Sequence, residues 1–239
     1  PRNMMANWVI KISEYYLESL YKLMHKEIKE QNELLHCDET TMQCNKENNK
    51  KATSNSYMWV LASGEEGKTK GVIFRYSQSR SEEIAKAFLN GFKGVLVTDG
   101  YAGYNNVEGI THAECWAHMR RYFYESVPLL ENKQMDTSAD GYIGVEYCNK
   151  LFEIEQKIAL LSDEEKLKIR QKESKSILEK FFNWVNLMMS EKIILNKKLK
   201  KALTYACNQQ KELSEFLKDA RIPITNSLAE RAIRPFAVH

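Results

Sequence analysis

Between residues 5 and 32, apolar side chains recur every three or four positions. Trp8, Ile12, Tyr16, Leu20, Met24 and Ile28 share a face with Leu17 and Leu23, while Lys22, Lys26, Glu27 and Lys29 fill the opposite side. That period predicts an amphipathic helix, packed on the domain or leading in from sequence before it. From 34 to 115 the pattern shortens to apolar runs of four to six residues, which predict strands at 34–38, 57–62, 71–76, 95–98 and 110–115. A polar stretch, 44–56, with Lys46, Lys50 and Lys51, reads as an exposed excursion, and Gly64, Glu65, Glu66 and Gly67 as the turn between the second and third strands. Ser81 and Glu82-Glu83 open a helix through Ile84, Ala85, Phe88 and Leu89 that Gly91 closes.

After residue 116 the period becomes helical again. Cys148, Leu151, Phe152, Ile158 and Leu161 mark one amphipathic helix. Leu178, Phe181, Phe182, Val185, Met188 and Met189 mark a second, and Leu199, Ala202, Leu203 and Ala206, with Leu213, Phe216 and Leu217, a third. The Met and Phe stripe is core packing. Three strands near hairpin distance, a helix, a strand, a helical turn and a strand are laid out as in a ribonuclease H-like fold. The expected class is therefore α/β: a mixed five-stranded sheet with flanking helices and a helical insertion before the last helix. The expected domains are a helical lead-in (1–33), the five-stranded core (34–125), the helical insertion (126–220) and a C-terminal helix completing the core (221–239).

Two acids stand out against this pattern. Val95-Leu96-Val97-Thr98 suits a strand buried on both faces and delivers Asp99 into Gly100-Tyr101, at the strand edge where ligands gather in open α/β sheets. Leu34-Leu35-His36-Cys37 runs likewise into Asp38, placed by this reading at a strand end. Adjacent strands would bring the two carboxylates together as metal ligands. At 239 residues the chain fits one large domain or one domain with an insertion. Its net charge of +3 permits a nucleic-acid partner without requiring one. Five cysteines with no C-x-x-C pair argue against a disulfide framework and for a reducing, cytoplasmic setting. No run reaches the ~18 apolar residues of a membrane span. The chain starts at Pro1 without Met, so it is expected to be a piece of something longer.

In the last segment, Ser227-x-x-Glu230 matches a capping box and Glu230 is spaced for an ion pair with Arg234. A role for Glu230 at a site is the rival reading. An ordered set of motifs bears on the choice. It consists of His36-Cys37-Asp38-Glu39-Thr40, Ser56-Tyr57-Met58-Trp59, Ser79-Arg80-Ser81, Thr98-Asp99-Gly100-Tyr101-Ala102-Gly103-Tyr104, Cys115-Trp116-Ala117-His118-x-Arg120-Arg121 and Asn226-x-x-Ala229-Glu230-Arg231-Ala232-Ile233-Arg234-Pro235. Together these resemble the DDE transposases of the insertion-sequence-66 family, over nearly the whole chain.

The resemblance implies a bacterial mobile-element enzyme on a ribonuclease H-like fold. Asp38, Asp99 and Glu230 would be its catalytic, metal-binding triad. Its cofactor would be two Mg²⁺ ions, replaceable by Mn²⁺, with Asp38 bridging them. Water would cut at a transposon end, and the freed 3′-OH would attack target DNA. The implied partners are transposon-end and target DNA, with self-association on DNA, no membrane, and a nucleoid-associated location.

Cys115 and His118 have C-x-x-H spacing, but a structural zinc needs about four ligands and no partner pair stands nearby. They are read as part of an active-site wall, with His118 lining it or touching the scissile phosphate. Arg80, Arg120, Arg121, Arg231 and Arg234 are candidate DNA contacts, with a solvated face as the other reading of Arg120 and Arg121. The run Lys197-Lys198-x-Lys200-Lys201 is a solvated helix face or backbone-tracking charge. Two alternatives stand beside the transposase: a non-catalytic DNA-binding or assembly module, and another ribonuclease H-like metal nuclease.

Overall fold

The computed structural model describes residues 2–47, 49–51, 53–190 and 196–237. Five strands form one sheet: β1 (Leu34–Gln43), β2 (Asn55–Ala62), β3 (Val72–Ser77), β4 (Gly94–Thr98) and β5 (Ile110–Glu114), in the order β3-β2-β1-β4-β5. β1, β2 and β3 pair antiparallel. β4 starts beside the start of β1, with the Val95 amide donating to the Glu33 carbonyl at 2.8 Å. β4 and β5 run in the same direction, since Gly94 at one end bonds to Gly109 and Thr98 at the other to Cys115. The sheet is therefore mixed, as expected.

The chain divides into two compact units. The first comprises residues 1–96, 102–111 and 227–239, and the second residues 97–101 and 112–226.

In the first unit the N-terminal helix runs from Arg2 to Glu30 as α1 (Arg2–Ile12) and α2 (Glu18–Glu30), joined through a π-helical turn, Ser13–Leu17. The face predicted to pack is largely bare. Trp8, Ile12, Tyr16, Leu20 and Met24 are exposed, no residue of α1 is buried, and Ile28 alone is buried in α2. The helix docks instead through its last two turns, where His25 Nε2 bonds the Phe88 carbonyl at 2.8 Å and Lys29 Nζ the Asn90 carbonyl at 2.6 Å. Phe88 belongs to α3 (Glu82–Leu89), which follows the extended N-cap Ser81 and ends before Gly91, at φ +84.

The first unit closes with α10 (Ser227–Ala237), which packs on β1 and β2. Its buried Ala229 and Ile233 sit one turn apart against Val60, joined by Phe74 and Phe236.

The second unit is helical apart from the ends of β4 and β5. It holds α4 (Trp116–Ser126), α5 (Asp140–Ile158), α6 (Asp163–Ile169), α7 (Lys175–Ser190), α8 (Lys197–Asn208) and α9 (Gln210–Leu213). An aromatic cluster forms its core: Trp116, Phe123, Tyr147, Phe181 and Trp184, with ring centroids 5.4–6.1 Å apart. The Phe part of the α7 stripe, Phe181 and Phe182, is core as its period predicts, but the Met part is not: Met188 is half-buried and Met189 exposed. The Trp116 indole donates to the Leu213 carbonyl at 2.9 Å, which satisfies the polar edge of a fully buried ring. Among the described residues, no helix is long and apolar enough to cross a membrane.

Candidate active site

Asp38 does not stand at a strand end. β1 continues five residues beyond it to Gln43, because the polar positions Thr40, Thr41 and Gln43 find ladder partners in Met58, Tyr57 and Asn55. Asp38 is thus held mid-strand, opposite Val60, and its Oδ1 accepts the Glu39 amide at 2.9 Å. Directly opposed residues of an antiparallel pair share a face of the sheet. Asp38, Val60 and Phe74 therefore form one row across β1, β2 and β3.

Helix α10 lies on that row. Phe236 near its C-terminal end meets Phe74 on β3, with ring centroids 5.0 Å apart, while Ala229 and Ile233 rest on Val60 of β2. Its N-terminal end is consequently the end directed toward β1, and Glu230 stands in that first turn. Arg231 and Arg234 are exposed on the same helix.

Glu39 points the other way. Its carboxylate, 1% exposed, takes Arg80 Nε and Nη2 at 2.5 Å each and accepts the Tyr104 hydroxyl. The guanidinium neutralises a charge that burial would otherwise make costly. Arg80, a candidate DNA contact from the sequence, is thereby tied to Glu39.

Asp99 lies in the second unit, one residue past β4. Its Oδ1 accepts the Tyr101 amide at 3.2 Å, and the Thr98 hydroxyl donates to the Asp99 carbonyl at 2.7 Å while also meeting His112 Nε2. His112 and Glu114, two residues apart on β5, share a face of that strand. Burial holds the His112 imidazole down at about 4, with Asp99 pulling the other way. Burial pushes the Glu114 carboxyl up to about 8; the Tyr205 hydroxyl bond opposes the shift, and Asp99 and Glu212 add to it.

Cys115 Sγ accepts the Asn226 amide at 3.2 Å, so the buried thiol holds the segment leading to α10. The His118 backbone amide bonds the Cys115 carbonyl at 3.2 Å in the first turn of α4, and its ring is half-buried. Arg120 Nε donates to Asn149 Oδ1 at 2.7 Å and its guanidinium sits 5.9 Å from the Tyr124 ring centre, whereas Arg121 is exposed.

These shifts fix a pH dependence. Glu114 binds its proton more tightly folded than at its ordinary 4.5, so its contribution to stability is complete below about 4.5 and is lost as pH rises through about 8. His112 has the opposite sign: its contribution is present above 6.5 and lost as pH falls toward about 4. Between pH 6.5 and 8 the Glu114 slope stands alone of the two. Metal-free protein is expected to lose up to ~2 kcal/mol across that window, and Glu114→Gln to remove this loss. Urea unfolding at pH 6.5 and 8 measures it.

The sequence reading did not single out Glu114, Tyr205, His112 or the Glu39–Arg80 pair. Alternation along β5 could have flagged His112 and Glu114 as ionisable residues sharing one face of the strand. Nothing in the period of α8 marks Tyr205.

Curated relatives include two uncharacterized proteins of Sinorhizobium fredii. One, y4qI, is 29% identical over 98% of this chain and 44% of its own length. The other, y4hP, is 30% identical over 86% of this chain and 40% of its own. The chain thus spans less than half the length of these relatives. Among solved structures, the Drosophila P element transposase strand transfer complex is matched at 10% identity with a TM-score of 0.29, over 80% of this chain and 52% of that one. The model of the transposase IS66 family matches residues 1–239, and the chain belongs to that family.

Proposed function

We propose that this chain is the catalytic part of a DNA transposase, cutting and rejoining phosphodiester bonds at a site built from Asp38, Asp99 and Glu230 on a ribonuclease H-like core. Family membership supports the activity class. The observation that carries the site is the placement of α10. Its N-terminal turn, with Glu230, is directed toward the strand and the sheet face that hold Asp38. The sheet order then puts β4, which leads into Asp99, next to β1. An antiparallel β3-β2-β1 unit extended by parallel β4 and β5 supports the ribonuclease H-like reading of the core.

The donor set fits a hard divalent cation. All three groups are carboxylates, the oxygen ligands that Mg²⁺ and Mn²⁺ prefer. Glu39 is unsuited to the task, because Arg80 and Tyr104 already occupy its oxygens. A cation held by Asp38, Asp99 and Glu230 would stabilise charge on the attacking and leaving oxygens of an in-line displacement. The chain's own part is to hold these acids on rigid backbone: Asp38 mid-ladder, Asp99 in a turn closed by the Tyr101 amide, Glu230 in a helix anchored on Val60. Arg231, Arg234 and Arg121 offer exposed cations for the DNA backbone. The DNA partners are transposon ends and target, with the protein self-associating on them.

The test is a cleavage and strand-transfer assay with end-labelled duplexes carrying the element's terminal sequences, in Mg²⁺, in Mn²⁺ and in chelator. Metal-dependent nicking followed by joined products is the expected result. Binding without nicking would favour a non-catalytic DNA-binding module, and nicking without joining another metal nuclease.

A further inference from the structure

Asp99 is followed by a glycine, and what crowds that glycine comes from far along the chain. A Cβ placed on Gly100 would fall 2.3 Å from both Cε2 and Oη of Tyr205, a residue of α8. The Tyr205 ring therefore lies directly on the Asp99-Gly100-Tyr101 backbone, and only a residue without a side chain admits it.

The same tyrosine is fixed at its far end. Its hydroxyl donates to Glu114 Oε2 at 2.6 Å, and Glu114 is 3% exposed at the end of β5. The ring is backed by Tyr122 of α4, with centroids 4.9 Å apart, and Lys201 Nζ lies 4.8 Å from the Tyr122 ring centre. The other Glu114 oxygen, Oε1, is buried without a hydrogen-bond partner among the described residues. Burying a carboxyl with one oxygen unpaired is costly, so an alternative apolar pair would fill the space more cheaply. Retaining the polar pair makes sense where position, rather than stability, is what the contact supplies.

We propose that Tyr205 and Glu114 are a positioning pair for Asp99: the helical block reaches back through Tyr205 to clamp the Asp99-Gly100 turn, and Glu114 locks the clamp. The pair touches neither DNA nor cation; it acts through Asp99. The proposal rests on the reading of Asp99 as a cation-holding acid, and groups that orient such acids typically change metal affinity 10–100-fold when removed.

The test uses Tyr205→Phe, Glu114→Ala, Glu114→Gln, the Tyr205→Phe/Glu114→Ala double variant and Asp99→Asn. Two measurements are made on each: Mn²⁺ binding by electron paramagnetic resonance, and amide hydrogen exchange at Gly100 and Tyr101. Tyr205→Phe keeps the ring and removes only the hydroxyl. It is expected to weaken Mn²⁺ binding about tenfold and speed exchange at those two amides, with β1 and β2 amides unchanged. Glu114→Ala should match it, the double variant should be no worse than either, and Glu114→Gln, whose carbonyl still accepts the hydroxyl, should bind nearly as wild type.

Wild-type Mn²⁺ binding in Tyr205→Phe, where Asp99→Asn loses it, would overturn the proposal. So would a uniform loss of protection across both units, which would make the pair a packing element only. Asp99→Asn separates the two claims. If it alone loses Mn²⁺, the pair is wrong and the site stands; if it binds Mn²⁺ as wild type, the site reading fails. In that second case, faster exchange confined to Gly100 and Tyr101 in Tyr205→Phe would still establish the clamp on the turn.

Discussion

Asp99→Asn is expected to reduce DNA cleavage and strand transfer by at least ~10³-fold while leaving DNA affinity within about twofold. The substitution keeps the size of the side chain and an oxygen able to accept the Tyr101 amide at the Oδ1 position, so the turn is preserved. What it removes is a negative charge, and a neutral amide is a poor ligand for a hard divalent cation. Phosphate contacts proposed for the exposed arginines would not depend on that charge, which is why binding and chemistry should separate. Asp38→Asn and Glu230→Gln are expected to behave alike. End-labelled duplex cleavage paired with filter binding at fixed salt measures both quantities. Cleavage near the wild-type rate in any one of them would strike that residue from the site.

The second large effect is on stability. Arg170 is 2% exposed inside the helical block, within the π-helical turn Arg170–Ser174. Its Nε and Nη2 hold Glu155 at 2.9 and 2.6 Å. Its Nη1 donates to the carbonyls of Phe216, Asp219 and Ala220 at 2.8, 3.0 and 3.2 Å. The guanidinium also lies 5.3 Å from the Phe216 ring centre. One side chain therefore closes three backbone acceptors and a carboxylate that helices alone leave open. Arg170→Ala is expected to cost ~3 kcal/mol, because the buried Phe216 carbonyl and the half-buried Glu155 carboxylate lose their donor. Urea unfolding should show a lower midpoint at unchanged slope. Arg170→Lys should recover only part of the loss, since an ammonium cannot reproduce the planar fork.

The sheet is legible because its strands are short apolar runs between turn residues, and so is the position of Asp99 just past a strand, because a glycine follows it directly. The true length of β1 is not. Thr40, Thr41 and Gln43 are polar and Met42 alone makes no apolar run, so their strand state comes from pairing with β2, a partner too distant in sequence to enter a local reading. The N-terminal helix is visible in its period, but the period alone does not say which face docks. Tyr21, His25 and Lys29 meet β3 and α3, while the more apolar stripe stays bare. The bond of Arg80, a candidate DNA contact, to Glu39 joins residues 41 positions apart in the chain, a separation no local pattern reports. Tyr205 is the extreme case. It faces an acid and a glycine about a hundred residues upstream, and no spacing rule connects them.

The backbone passes between the two units four times, after residues 96, 101, 111 and 226. No single break therefore separates them. Grafting the helical block alone into a relative, as a cassette from 112 to 226, would also leave the short Asp99 segment behind. Glu114 and Tyr205 would then meet whatever stands in place of Asp99 and Gly100 in the new host. Exchange of modules between such proteins should preserve function only when the five-residue segment and the block travel together.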